Sequence, residues 1–205
     1  MSRPSTREKL IDCAAELFAD RGVQGVSLRT INTKAGLSPA ALHYHFGTKT
    51  ALLEAILERN MPALMEQRRE LLDELSVAAT PATTREVLSA LMSPLVDLLA
   101  SGDHAANRYM RLIHRLHVDG NLDPQFAIER WPGGVDRLVP LLQNANPSLP
   151  LSLIQFRLTL VIDIMLRSLS QASAPADGDL DAHASSLLDF LTDGFEARIT
   201  GEPQP

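Results

Sequence analysis

Between residues 27 and 49 the sequence gathers groups suited to a polyanion. Ser27, Ser38 and Thr48 each precede a stretch of helical periodicity. A hydroxyl there caps a helix start, and helix starts attract phosphate oxygens. His43, Tyr44 and His45 place three polar-tipped rings on one short helix. Such tips reach phosphates or base edges. Ala40 and Ala41 are small enough to let that helix lie close to a major groove. Arg108, Arg111 and Arg115 stand at i, i+3 and i+7 and share one helix face. That face is either solvated and salt-bridged or the holder of a carboxylate. His114, His117 and Asp119 have passable metal spacing, but a helical histidine pair without a clear third ligand does not make a metal site. No metal and no cofactor is expected. No nucleophile elbow or phosphate loop occurs, so the expectation is a binding protein and not an enzyme. Cys13, the one cysteine, packs near the apolar face of the first helix.

The elements that position these groups read as all-α, with helical spacing throughout. Ser5-Thr6-Arg7-Glu8 is a capping box, and Leu10, Ile11, Ala14, Leu17 and Phe18 form the face behind it. Arg21-Gly22 ends that helix. A short helix follows Ser27, Gly36 breaks it, and Ser38-Pro39 restarts the chain for a recognition helix over 39–46. Thr48 caps a long fourth helix reaching Leu75. Further helices are predicted over 85–100, with Pro94 as a kink, and over 104–118, 124–145 (interrupted at 131–134), 151–172 and 180–199, nine in all. The domains are expected at 1–50 for the helix-turn-helix and 51–205 for a helical body.

Charge follows the same division. The chain carries net −6, yet residues 1–50 hold seven basic and four acidic residues, a net +3. The remainder holds 12 basic and 21 acidic residues, a net −9. A basic head on an acidic body meets DNA with its head. No apolar run reaches the roughly 20 residues of a membrane helix, and the first five residues lack the apolar segment of a signal peptide. The expected location is the cytoplasm.

The run Ile31-Asn32-Thr33-Lys34-Ala35-Gly36-Leu37-Ser38-Pro39-Ala40-Ala41-Leu42-His43-Tyr44-His45-Phe46-Gly47-Thr48-Lys49 resembles the signature of the tetracycline-repressor (TetR) family. Ala14-x-x-Leu17-Phe18-x-x-x-Gly22 before it and Leu52-Leu53 after it fit as well. The resemblance implies a nine-helix architecture and DNA roles for Arg29, Ala40, His43, Tyr44, His45 and Lys49. His43 stands where the family usually has tyrosine, and Asn32 where alanine is common.

One recognition helix reads too few base pairs, so a homodimer on a palindromic operator is expected, with half-sites about 34–36 Å apart. Leu151, Ile154, Leu158, Ile162, Met165 and Leu169, with Leu187, Leu191 and Phe195, are the candidate dimer surface. Phe156, Leu160 and Ile164 extend the apolar character around the helix, and a helix apolar on all sides needs cover on all sides. The resemblance also implies an effector pocket in the body. Met61, Met65, Met92, Leu95, Met110, Arg111, Ile113, Phe126, Trp131 and Phe156 are its candidate lining, ordinary core being the competing reading. The Pro94 helix, the Arg108–Arg115 face and Val135-x-x-Leu138-Val139-Pro140-Leu141-Leu142 loosely resemble the family's regulators of fatty-acid metabolism. The expectation is a repressor released by an amphipathic or apolar effector, possible types being a fatty acid or acyl derivative. The alternative is an architectural or division-associated DNA binder without an effector.

Overall fold

The computed structural model describes residues 5–120, 137–172 and 179–198. Ten helices and no strand occur among them: α1 (Thr6–Arg21), α2 (Leu28–Ala35), α3 (Pro39–Phe46), α4 (Lys49–Leu57), α5 (Met61–Val77), α6 (Thr84–Ala100), α7 (His104–Val118), α8 (Leu138–Ala145), α9 (Leu151–Gln171) and α10 (Asp179–Glu196).

The capping box forms as predicted. The Glu8 amide donates to Ser5 Oγ at 3.2 Å, and the Ser5 amide donates to Glu8 Oε2 at 2.7 Å. Leu10, Ile11, Ala14, Leu17 and Phe18 are buried on α1. This helix packs on α2, α3 and α4 at one side and on α7 at the other, so it belongs to head and body alike.

The expected long fourth helix is instead two. α4 stops at Leu57 and α5 starts at Met61 because Pro62 follows. A proline ring clashes with the carbonyl four residues back, here Glu58, and has no N–H to offer it. The Arg59 and Asn60 amides fall back on the Ile56 and Leu57 carbonyls at 3.4 and 3.2 Å, the tighter i→i−3 pattern. That split takes the count from nine to ten. The gap between the two helices falls at 58–60, and the expected domain boundary at residue 50 lies just inside α4. The expected interruption at 131–134 lies outside the described residues.

In the body, α6 is central and touches α5, α7, α8, α9 and α10. It is buried on most sides, from Val87 to Leu99, and runs without a break through Pro94. α9 packs on α6, α7, α8 and α10. Those neighbours cover Ile154, Leu158, Val161, Met165 and Leu169 completely enough to place them in the subunit's own core.

Candidate nucleic-acid interface

α2 and α3 are joined by a tight left-handed turn. Gly36 sits at φ 66°, ψ 35°, which costs a side-chain-bearing residue about 1 kcal/mol or more. Its amide donates to Thr33 at 3.1 Å, and the Leu37 amide reaches back to Asn32 at 2.9 Å. These two bonds make a Schellman motif. Ile31 and Asn32 on α2 and Leu42 on α3 point inward. The Asn32 Nδ2 donates to the Pro39 carbonyl at 3.1 Å, bracing the start of α3 against α2. An alanine there could not do this, which explains the departure from the family pattern physically. A guanidinium from the far end of α1, Arg7, stacks over the Phe46 ring at 5.4 Å.

The outward face of α3 carries Ala40, His43 and Tyr44 at i, i+3 and i+4, all exposed. Tyr44 is 86% exposed and meets His45 edge-on at 5.2 Å between centroids. His45 itself is half-buried. His43 Nδ1 sits 3.2 Å from the Gly47 carbonyl, so its ring folds back along the helix end. Ser38 begins α3 with no side-chain cap bond, leaving its hydroxyl free for another acceptor. Ser27 and Thr48, by contrast, accept from the Thr30 and Ala51 amides, each at 3.1 Å. Beside α2, an open groove is lined by Arg21, Ser27, Arg29, Thr30, Thr33 and Lys34. Lys34 there pairs with Glu16 at 2.6 Å, and that contact holds the Glu16 carboxyl below its ordinary range.

Lys49 has a structural task that spacing could not reveal. Its ammonium donates to the Val23 and Val26 carbonyls at 2.9 and 3.1 Å, clamping the α1–α2 loop to the start of α4. Two of its three N–H groups are used in this way. Lys49→Met is expected to cost about 1–3 kcal/mol in thermal unfolding, a loss that a lysine serving DNA alone would not produce.

Two family models match the chain. "Bacterial regulatory proteins, tetR family" matches residues 10–56, and "Tetracyclin repressor-like, C-terminal domain" matches residues 89–194, more than half the sequence. The chain belongs to the TetR family. It is 28% identical over 133 residues to the HTH-type transcriptional repressor KstR2 of Rhodococcus jostii strain RHA1, spanning 62% of each chain. Its fold is similar to a TetR-like transcriptional regulator from Rhodococcus sp. RHA1, with TM-score 0.61, 18% identity and coverage of 97% of this chain and 100% of that one. It is also similar to the transcriptional regulator FadR from Bacillus subtilis in complex with stearoyl-CoA, with TM-score 0.56, 21% identity and coverage of 91% and 97%. The TetR family is one of transcriptional regulators.

Within this TetR-family body several expectations change. Ile154, Leu158, Met165, Leu169, Leu187, Leu191 and Phe195 are buried inside the subunit, so they cannot be the partner-facing surface. Ile162 is half-buried. On α9 and α10 the outward apolar groups are Leu151, Phe156, Leu160, Ile164 and Phe190. Phe156, at 59% exposed, is therefore not a pocket residue. Arg111 is not one either, since it is exposed and lies 3.7 Å from Asp20 of α1. Arg115 pairs with Asp119 at 3.0 Å, so the arginine face is an ion-paired surface. His117 engages Asp163 of α9. Met61, Met92, Leu95, Met110 and Ile113 are buried and Met65 half-buried in the body's interior, while Phe126 and Trp131 lie outside the described residues. Cys13 is half-buried, and burial pushes its thiol up, away from the reactive thiolate.

Proposed function

We propose that the protein is a cytoplasmic, ligand-responsive transcriptional repressor that binds a palindromic operator as a homodimer and is released by a small amphipathic or apolar effector. The observation that carries this reading is the exposed Ala40/His43/Tyr44 stripe on α3, held by a braced helix-turn-helix and flanked by the free Ser38 hydroxyl. The cationic groove with Arg29 supports it as a phosphate track beside the recognition helix. The head extends over α1 to α4 and the body from α5 onward, with the break at Glu58–Asn60. No helix among the described residues is long and apolar enough to cross a membrane. The stearoyl-CoA in the FadR neighbour supports an acyl-type effector. The match covers less than two thirds of KstR2, so the repressor role is carried by analogy of the head and the body fold together.

Genome-wide footprinting supplies the operator, and two variants then test the interface. Tyr44→Ala is expected to lower operator affinity about tenfold, with unfolding unchanged because the ring is exposed. Arg29→Ala is expected to weaken binding to all sequences and reduce the salt slope by about one. Wild-type affinity in the double variant would overturn the assignment.

A further inference from the structure

α5 carries a charge into the interior. Leu64, Arg68 and Leu72 lie one turn apart on a single row, and all three are buried. Arg68 is 4% exposed. Its Nη2 donates to the Leu91 carbonyl of α6 at 2.9 Å, and its Nη1 faces Met65 Sδ, a weak acceptor, at 3.6 Å. Its Nε–H finds no acceptor among the described residues, and no carboxylate pairs with it there. Tyr109 of α7, 3% exposed, likewise leaves its hydroxyl unpartnered. Burial lowers the Arg68 pKa to about 10, so the guanidinium stays charged at neutral pH. Burial raises the phenol of Tyr109, and the nearby Arg68 charge opposes that rise.

A buried cation without a counter-ion is costly, and one carbonyl repays only part of the cost. Native interiors leave few polar atoms unsatisfied. Here two such atoms, one on a cation and close enough to interact electrostatically, occur where α6 packs on both α5 and α7. A carboxylate would accept from the Nε–H and an Nη–H in the side-on fork that guanidinium favours, and from the phenol as well. Met65 touches Arg68, Met92 follows Leu91 and Met110 follows Tyr109 in sequence, and flexible thioethers yield to an incoming chain.

We propose that Arg68 and Tyr109 recognise the acid group of the effector, which makes the effector class an organic acid with an apolar body. This rests on the effector-responsive reading above. It also assigns the cation role to α5, not to the Arg108–Arg115 face. Tyr109 lies on α7, the helix that packs on α1, so the acid group touches the element that supports the head.

The test uses the full-length protein, with decanoate as the acid probe and 1-decanol as its neutral counterpart. Thermal shift and operator gel shift are read for each. In the wild type, decanoate is expected to act at concentrations at least about tenfold below decanol. Arg68→Met, matched in volume, is expected to abolish that preference, and Tyr109→Phe to reduce it severalfold. An arginine that merely caps the Leu91 carbonyl would alter unfolding but not the acid-to-alcohol ratio. Should Arg68→Met not fold, Tyr109→Phe deletes one oxygen without a change in packing and gives the same reading. Equal action of the two probes on the wild type, or a preference retained in the variants, overturns the proposal while leaving effector control standing. If neither probe acts but other compounds from a chemically broad panel release DNA, the proposal again falls alone. If no compound acts, effector control falls with it.

Discussion

Replacing Phe156 and Leu160 together by glutamate is expected to convert the proposed homodimer to monomers and to lower operator affinity about a hundredfold. Phe156, Leu160 and Ile164 recur at i, i+4 and i+8 on α9, and all three face solvent in the isolated subunit. Phe190 adds an exposed ring on α10, which packs on α9. A soluble chain seldom leaves such rings uncovered. A two-fold contact on this face would bury the glutamates of both copies within one closed surface, where unpaired like charges are strongly disfavoured. Each freed head then binds half an operator without help from the other. Sedimentation velocity and gel shift read the two effects separately. A double variant that still sediments as the wild type does would remove α9 from the dimer. The substitution Ile154→Glu serves as contrast: its side chain is in the core, so the expected outcome there is unfolding.

Gly22→Ala is expected to cost about 2–3 kcal/mol and to lower the melting temperature by on the order of 5–10 °C. At φ 71°, ψ 160° the backbone of Gly22 occupies a region essentially reserved for glycine. A Cβ added there would come within 2.8 Å of Asp119 Oδ2 and 3.3 Å of Arg115 Nε. Those two atoms bond each other at 3.0 Å, so the ion pair at the end of α7 would have to move. Calorimetry of Gly22→Ala and of the same change with Asp119→Ala separates the two causes. The backbone strain persists in the double variant, whereas the contact is relieved. A single variant as stable as the wild type would show that the α1–α7 seam is looser than these distances imply.

The head was legible in the sequence because its signals are local. Ser5 with Glu8, Gly36, and Ser38 with Pro39 act within a few residues of themselves, and each element they delimit forms where expected. Pro62 was equally visible, yet the apolar spacing continued across it from Leu57 to Leu64 and hid the break. The dimer surface was misassigned for a different reason. α9 is apolar around most of its circumference, and periodicity cannot say which side faces the molecule's own core. Only the positions of α6, α7, α8 and α10 decide that Ile154 is inside and Phe156 outside. Lys49 shows the same limit at one residue, since Val23 and Val26 lie more than twenty positions away. Arg68 did leave a signal, a charge on the Leu64–Leu72 row, but an arginine followed by Arg69 and flanked by exposed residues such as Glu66 and Glu70 does not announce itself.

The position of α1 has a mechanical consequence. Near one end it is tied to α7 through Asp20 with Arg111 and through Gly22 against Asp119. Near the other, Arg7 rests on Phe46 at the close of the recognition helix. Its 16 residues make a rod about 24 Å long. A tilt of about 5° imposed at the α7 end therefore sweeps the far end through about 2 Å. Hydrogen bonds to base edges fail over a few tenths of an ångström. Under the proposed effector control the rod would work as a lever, so that a displacement in the body too small to disturb its packing would be magnified enough to unseat the head.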